Sequence, residues 1–201
     1  FVKDFEEYHG KGAVVAVEQF RNGDTDFRGQ LKQIMRSGAE VLFLPQQYYE
    51  VPLVVEQMIE LGLDIPVLGT EGYATDELLE QCGANCNGIV FTSNYLPGNA
   101  KGVNKRFVDA YSNAYGEIPD EPAALTWDAM RALFKAIQDT GGLTGNLVED
   151  RAAIQRQLAK IRHFEGATGM MSFNASGNPD KCIVVGKIVD EQFTTHDSVC
   201  P

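Results

Sequence analysis

The feature that most constrains this chain is an alternation of two spacings along its first 116 residues. Short, continuous apolar runs lie at Ala13–Val17, Val41–Leu44, Ile65–Leu68 and Gly88–Thr92. Such a run suits a strand covered on both faces. Between the runs, apolar residues recur every three or four positions, as in a helix with one buried stripe. The helical spacing passes through Phe1, Phe5 and Tyr8, then Phe27, Leu31, Ile34 and Met35, then Val51, Val54, Val55, Met58 and Leu61. It returns through Val103, Phe107, Tyr111 and Tyr115, and Asp76–Glu80 adds a short helix with acids in its first turn. Gly10, Gly38, Gly62 and Gly116 stand where helices stop. Strands alternating with helices predict an α/β fold with a doubly wound parallel sheet. Its first strand is missing: the first helix has no strand before it, and in a flavodoxin-like order that strand is central. We therefore expect the natural protein to begin well upstream of Phe1, because a bare central edge invites aggregation.

The rest of the chain has another character. Two prolines break the pattern at Glu117–Pro122, and a helix then runs through Trp127, Met130 and Phe134 to about residue 139. A glycine loop at 141–145 leads to a helix over 150–162, a strand at 168–173 and a turn at 174–179. A hairpin over 181–200, turning near Glu191, closes the chain. This second part is too small for a sound core of its own.

Charge narrows the partners. Asp and Glu number 28 against 17 Lys and Arg, a formal net charge of −11. Such a surface repels phosphate backbones and anionic lipid, so no nucleic acid is expected as a partner. No apolar run approaches the roughly 20 residues of a membrane span. The four cysteines are Cys82, Cys86, Cys182 and Cys200. Cys182 and Cys200 are symmetric about the hairpin turn, and Cys82 and Cys86 flank a Gly-Ala-Asn turn. Disulfides Cys82–Cys86 and Cys182–Cys200 are the favoured pairing, against four reduced thiols in a cytosolic protein.

Catalytic signatures are absent: there is no G-x-S-x-G, no phosphate-binding G-x-x-x-x-G-K, no G-x-G-x-x-G and no H-E-x-x-H. No cofactor or metal is expected. The polar groups that stand out follow the apolar runs, where open α/β sheets bind ligands. Gln46, Gln47, Tyr48 and Tyr49 follow the second run. Thr70, Glu71 and Tyr73 follow the third, and Asn94 and Tyr95 the fourth. Amides supply donors and acceptors, tyrosines apolar faces with polar tips, and Glu71 a charge suited to an ammonium group. Tyr73 is expected to cover an apolar part of such a ligand.

These residues sit in a longer likeness. Phe1–Gly10, Gly23-Asp-Thr-Asp-Phe27 with Gln30-Leu31, Leu42-Phe-Leu-Pro45 with Tyr48-Tyr49, and Gly69-Thr-Glu-Gly-Tyr73 occur in order. They are followed by Tyr115-Gly116, Pro119, Trp127-Asp-Ala129 and Thr168-Gly169. Together they resemble the C-terminal portion of the periplasmic type I solute-binding proteins, in the leucine/isoleucine/valine-binding class that serves ABC importers. The resemblance implies a two-lobed protein that closes on its ligand by a hinge. Residues 1–119 would be most of one lobe, 121–176 part of the other, and 177–201 a hairpin at the final crossover. It implies that Glu71 binds the ligand's α-ammonium and that an aromatic at Tyr48 packs on the ligand, with Gln47 competing for that alignment. The groups that bind the ligand's carboxylate would lie in a lobe upstream of Phe1. Also implied are an amino acid or similar ligand, a membrane permease as partner, and a periplasmic or extracellular location with a lipid anchor at the missing N-terminus. Two rivals remain: a ligand-sensing domain of the same fold in a receptor or regulator, and an enzyme using Glu71 as acid and base.

Overall fold

The computed structural model describes residues 1–98 and 100–201. By their internal contacts these form two compact units. The first is Phe1–Phe91 with Lys187–Phe193, and the second is Thr92–Gly186 with Thr194–Pro201. The chain passes between the units three times, after Phe91, Gly186 and Phe193.

In the first unit, α1 (Val2–His9) and α2 (Arg28–Ser37) precede β1 (Leu42–Phe43). Then come α3 (Val51–Leu61), β2 (Val67–Gly69), α4 (Asp76–Cys82) and β3 (Val90–Ser93), which ends just past the boundary. Gly38 and Gly62 end α2 and α3 in the left-handed region, at φ 71° and 69°. The strands are parallel, with Leu42 opposite Val67 and Leu68 opposite Val90. This is the parallel α/β sheet that the alternating spacings predict. Val51, Val54, Val55 and Met58 of α3 are buried, each stabilising the unit by about 1.5–3 kcal/mol. Gln57 beside them accepts from the Phe27 N–H and donates to the Thr25 carbonyl, tying the loop before α2 to this core. The Cys82–Cys86 disulfide closes the end of α4.

One expected strand fails. Ala13–Val17 joins no ladder among the described residues, and Val15 and Val17 are 53% and 67% exposed. A strand exists only with a partner for its backbone groups, and no strand among the described residues pairs with it.

The second unit holds α5 (Gly102–Tyr115), α6 (Glu121–Asp139) and α7 (Leu147–Leu158). Phe107 of α5 packs with Tyr95, Ala124 and Ala167, so this helix shares the core of the second unit rather than that of the first. α7 occupies 147–158 instead of the expected 150–162, because the Asn146 side chain accepts from the Val148 and Glu149 N–H groups and caps an earlier start. A three-stranded antiparallel sheet follows, made of β4 (Phe164–Gly166), β5 (Gly169–Phe173) and β6 (Pro179–Lys181). The Asp128 carboxylate on α6 accepts from the Ala167 and Thr168 N–H groups and the Thr168 hydroxyl, which fixes the β4–β5 turn. β7 (Ile183–Val189) and β8 (Gln192–Val199) form the terminal hairpin, turning through Asp190 and Glu191 at positive φ. Their order with the parallel strands is β1-β2-β3-β7-β8. The Cys182–Cys200 disulfide joins the open end of that hairpin.

Candidate ligand-binding edge

Because β1 and β2 are parallel neighbours, their carboxyl ends open on the same edge of the sheet. β1 delivers Gln46–Tyr49, and β2 delivers Thr70 and a single 3₁₀ turn, Glu71–Tyr73. The two turns touch. A Cβ added at Gly72 would lie 2.9 Å from the Gln47 side-chain oxygen and 3.3 Å from the Gln46 carbonyl. Glycine at 72 is what allows this approach.

Tyr73 is placed differently from the expectation. It is fully buried, and its hydroxyl donates to the Leu44 carbonyl at 2.6 Å. The ring lies against Gly69, where any Cβ would collide with it, and stacks toward Phe91 with centroids 6.2 Å apart. Burial pushes the hydroxyl pKa well above the usual tyrosine value. An apolar ring beside a parallel sheet is drawn into the core, so Tyr73 rivets the Glu71 turn to the end of β1, with its ring enclosed rather than on the surface of the edge.

Glu71 itself is exposed, and its carboxylate has no hydrogen-bond or ion-pair partner among the described residues. Thr70, Gln46 and Tyr48 are half-buried, and Gln47 and Tyr49 are exposed. Tyr48 meets Tyr49 edge to face, with centroids 5.5 Å apart. The structure therefore gathers Gln46, Gln47, Tyr48, Thr70 and Glu71 on one edge.

Two further carboxylates escaped the sequence reading. A cavity of about 480 Å³ beside the first turn is lined by Glu18, Asn22, Gln46, Gln47, Tyr49 and Glu50. Glu50 is 6% exposed and makes no capping hydrogen bond, although it immediately precedes α3. Both acids carried a signal. Glu18 follows an apolar run, as Gln46 and Thr70 do, and Glu at a helix-start position usually filled by Ser, Thr, Asp or Asn is a poor cap. With Glu71 they make this edge acidic.

Asn94 and Tyr95 belong to the second unit. The Asn94 amide and backbone N–H donate to the Glu121 carboxylate at 3.0 and 3.2 Å, alongside the Ser93 hydroxyl. The Asn94 carbonyl accepts from Lys181 Nζ at 3.1 Å. Burial lowers the Lys181 pKa, against the pull of the carboxylates of Asp128 and Glu121. Tyr95 is buried, donates to Asn104 Oδ1 at 2.9 Å, and has its pKa pushed by burial up to about 12. Their polar groups are engaged inside their own unit. Among the described residues no group of three or more His, Cys, Asp or Glu is arranged to hold a metal ion. None of the described helices is long and apolar enough to cross a membrane.

Residues 1–192 match the family described as Periplasmic binding protein. A Leu/Ile/Val-binding protein homologue from Brucella melitensis is 28% identical over 84% of this chain and 44% of its own length. A leucine-binding protein from Thermotoga maritima superposes with a TM-score of 0.86 at 29% identity, covering 99% of this chain and 56% of that one. A branched-chain amino acid transporter substrate-binding protein from Streptococcus pneumoniae, solved with isoleucine, gives 0.82 at 30% identity over 99% and 55%. The chain thus spans about half the length of the relatives it matches.

Proposed function

The chain belongs to the periplasmic binding protein family, and from that premise we propose that it is part of an extracytoplasmic, non-catalytic solute-binding protein of an ABC importer. Its ligand is an amino acid or a similar small amine. Glu71 carries this reading: it is an unpartnered carboxylate held at the carboxyl edge of a parallel sheet. An ammonium donated to it makes a charge-assisted hydrogen bond, worth roughly 1.5–3 kcal/mol. Gln46, Gln47 and Thr70 supply neutral donors and acceptors beside it, and the Tyr48 ring supplies an apolar face for an aliphatic side chain. Glu18 and Glu50 add negative potential on the same edge, which favours a cation over an anion. The side that holds the ligand's carboxylate is proposed to lie upstream of Phe1. The Brucella and Thermotoga relatives are branched-chain or leucine-binding proteins by name, and the Streptococcus structure holds isoleucine. Those ligands make aliphatic amino acids the first candidates here, delivered to a membrane permease from a periplasmic or extracellular location.

Calorimetry on the full-length protein with a panel of amino acids tests this. Saturable heat from at least one aliphatic amino acid is expected, and no heat from any of them refutes the assignment.

A further inference from the structure

Glu50 is a buried carboxylate with no counter-charge. It is 6% exposed, and its side chain makes no hydrogen bond or ion pair among the described residues. No side-chain oxygen among those residues is both sealed from solvent and unpaired. The Glu50 oxygens therefore open onto the cavity of about 480 Å³ that this residue lines. Taking a charge out of water is costly, so buried carboxylates are as a rule paired. We propose that the partner comes with the ligand: the cavity receives an ammonium or guanidinium at the end of the ligand's side chain, and the ligand is a basic α-amino acid. The proposal rests on the assignment of the α-ammonium to Glu71 and adds the class of side chain.

The lining suits a cation. Glu18 is a second carboxylate there, also without a partner among the described residues. Ionised carboxylates only accept hydrogen bonds, and the amides of Gln46 and Gln47 offer two more acceptor oxygens. Tyr49 adds a ring, whose face attracts positive charge. No Lys, Arg or His is among the described residues of the lining; Arg21, although it lies between Phe20 and Asn22 in sequence, is not one of them. An organic cation fits better than a metal ion. Among the described residues no group of three or more His, Cys, Asp or Glu is arranged for a metal, and the volume falls within the roughly 300–1,000 Å³ of small-molecule pockets.

Gln47 joins this cavity to Glu71. Its side-chain oxygen lies so close to Gly72, the residue after Glu71, that a Cβ there would be 2.9 Å away. Three residues on, the Glu50 N–H donates to the Gln47 carbonyl at 3.2 Å, a turn that keeps their Cα atoms within about 7 Å. The backbones at Glu71 and Glu50 are therefore on the order of 10–15 Å apart. Each glutamate side chain takes up part of that span, and a hydrogen bond of about 2.8 Å takes up more at each end. The remainder, roughly 5–8 Å, matches the separation of the two nitrogens in an amino acid with three or four side-chain methylenes. A neutral aliphatic ligand reaches the same Glu71 but leaves Glu50 and Glu18 unpaired. A basic one pairs both ends.

Lysine is norleucine carrying an ammonium at the end of the same side chain, and calorimetry on the full-length protein with these two compounds provides the test. The parent is expected to bind lysine at least about 10-fold more tightly, the worth of one charge-assisted hydrogen bond. Glu50→Gln is expected to bring the two affinities close to parity. Glu18→Gln, at an exposed position, is expected to remove part of the preference and carries the test if Glu50→Gln does not fold. Norleucine bound as tightly as lysine by the parent overturns the proposal and leaves the Glu71 assignment standing. A lysine preference that persists in both variants puts the cationic end elsewhere and also overturns it. So does an equal loss for both compounds in Glu50→Gln, which would give Glu50 the α-ammonium. Heat from neither compound, nor from any aliphatic amino acid, refutes the Glu71 assignment on which this one rests.

Discussion

Replacing Tyr73 by Phe removes a single oxygen from the centre of the first unit, and two opposing effects can be read from it. The lost hydroxyl donates to the Leu44 carbonyl at 2.6 Å. That carbonyl keeps a second donor, the Gln46 N–H at 2.9 Å, so it is not orphaned. The cost is then a net buried hydrogen bond with some residual desolvation, about 1.5 kcal/mol. The second effect depends on pH. Tyr73 ionises near 10 in the unfolded chain and well above that when folded, because its ring and hydroxyl are buried. A raised folded pKa means that the folded state holds its proton longer. The stability that Tyr73 contributes is therefore complete below pH 10 and falls as pH rises toward the folded value, by about 1.4 kcal/mol per unit. An advantage of about 1.5 kcal/mol vanishes near pH 11. Urea denaturation of both proteins between pH 7 and 11.5 measures this, since the other titrating groups cancel in the difference. Tyr73→Phe should be the less stable protein at pH 7–9, equal to the parent near pH 11 and the more stable one above it. Parallel pH profiles would mean that the hydroxyl is solvated and that Tyr73 does not hold the Glu71 turn from beneath.

Other perturbations bear on the same scaffold. Gly69→Ala places a methyl group against the Tyr73 ring, which has no free space to yield, and should cost about 1–3 kcal/mol by thermal unfolding. Asp128→Asn turns an acceptor of three hydrogen bonds into a group that presents N–H to N–H. It should destabilise the second unit by about 3 kcal/mol or more and speed exchange of the Ala167 and Thr168 amides. Asp150 accepts from the Thr144 N–H first, then from the Thr144 hydroxyl and the Gly145 N–H, and its pKa is lowered below 3.8. Its contribution is present above that pH and is lost as pH falls through the folded value, so Asp150→Asn should flatten the acid limb of an unfolding curve below pH 4.

Much of this architecture is written in local pattern. The periodicity of α2, α3, α5 and α6 reflects burial of one helix face, and burial is a short-range signal in sequence. The glycine stops at 38, 62 and 116 reflect left-handed residues that other side chains resist. The Cys182–Cys200 bond follows from hairpin symmetry about residue 191. Where the sequence misled, the cause was non-local. Ala13–Val17 has the composition of a buried strand and makes no ladder, since a ladder is a property of two segments. β4 is three residues long and hides its register in a turn held by Asp128, distant in sequence. Within the site, Tyr73 reads as a ligand wall because a tyrosine after a strand is ambiguous. Gly69, which leaves room for its ring, explains why it turned inward. The engagement of Asn94 by Glu121, 27 residues away, is invisible to local pattern, and the burial of Glu50 shows in sequence only as an unusual residue at a helix start.

The proposed role of Glu71 is to bind the ammonium of the ligand. The most direct measurement compares, by calorimetry on the full-length protein, the affinity for an aliphatic amino acid with that for the matching α-hydroxy acid. The comparison is made for the parent and for Glu71→Gln. The parent should prefer the amino acid by about 10- to 150-fold, the worth of one charge-assisted hydrogen bond, and the variant should lose most of that preference while still folding. An unchanged preference in Glu71→Gln would place the ammonium elsewhere and contradict the claim.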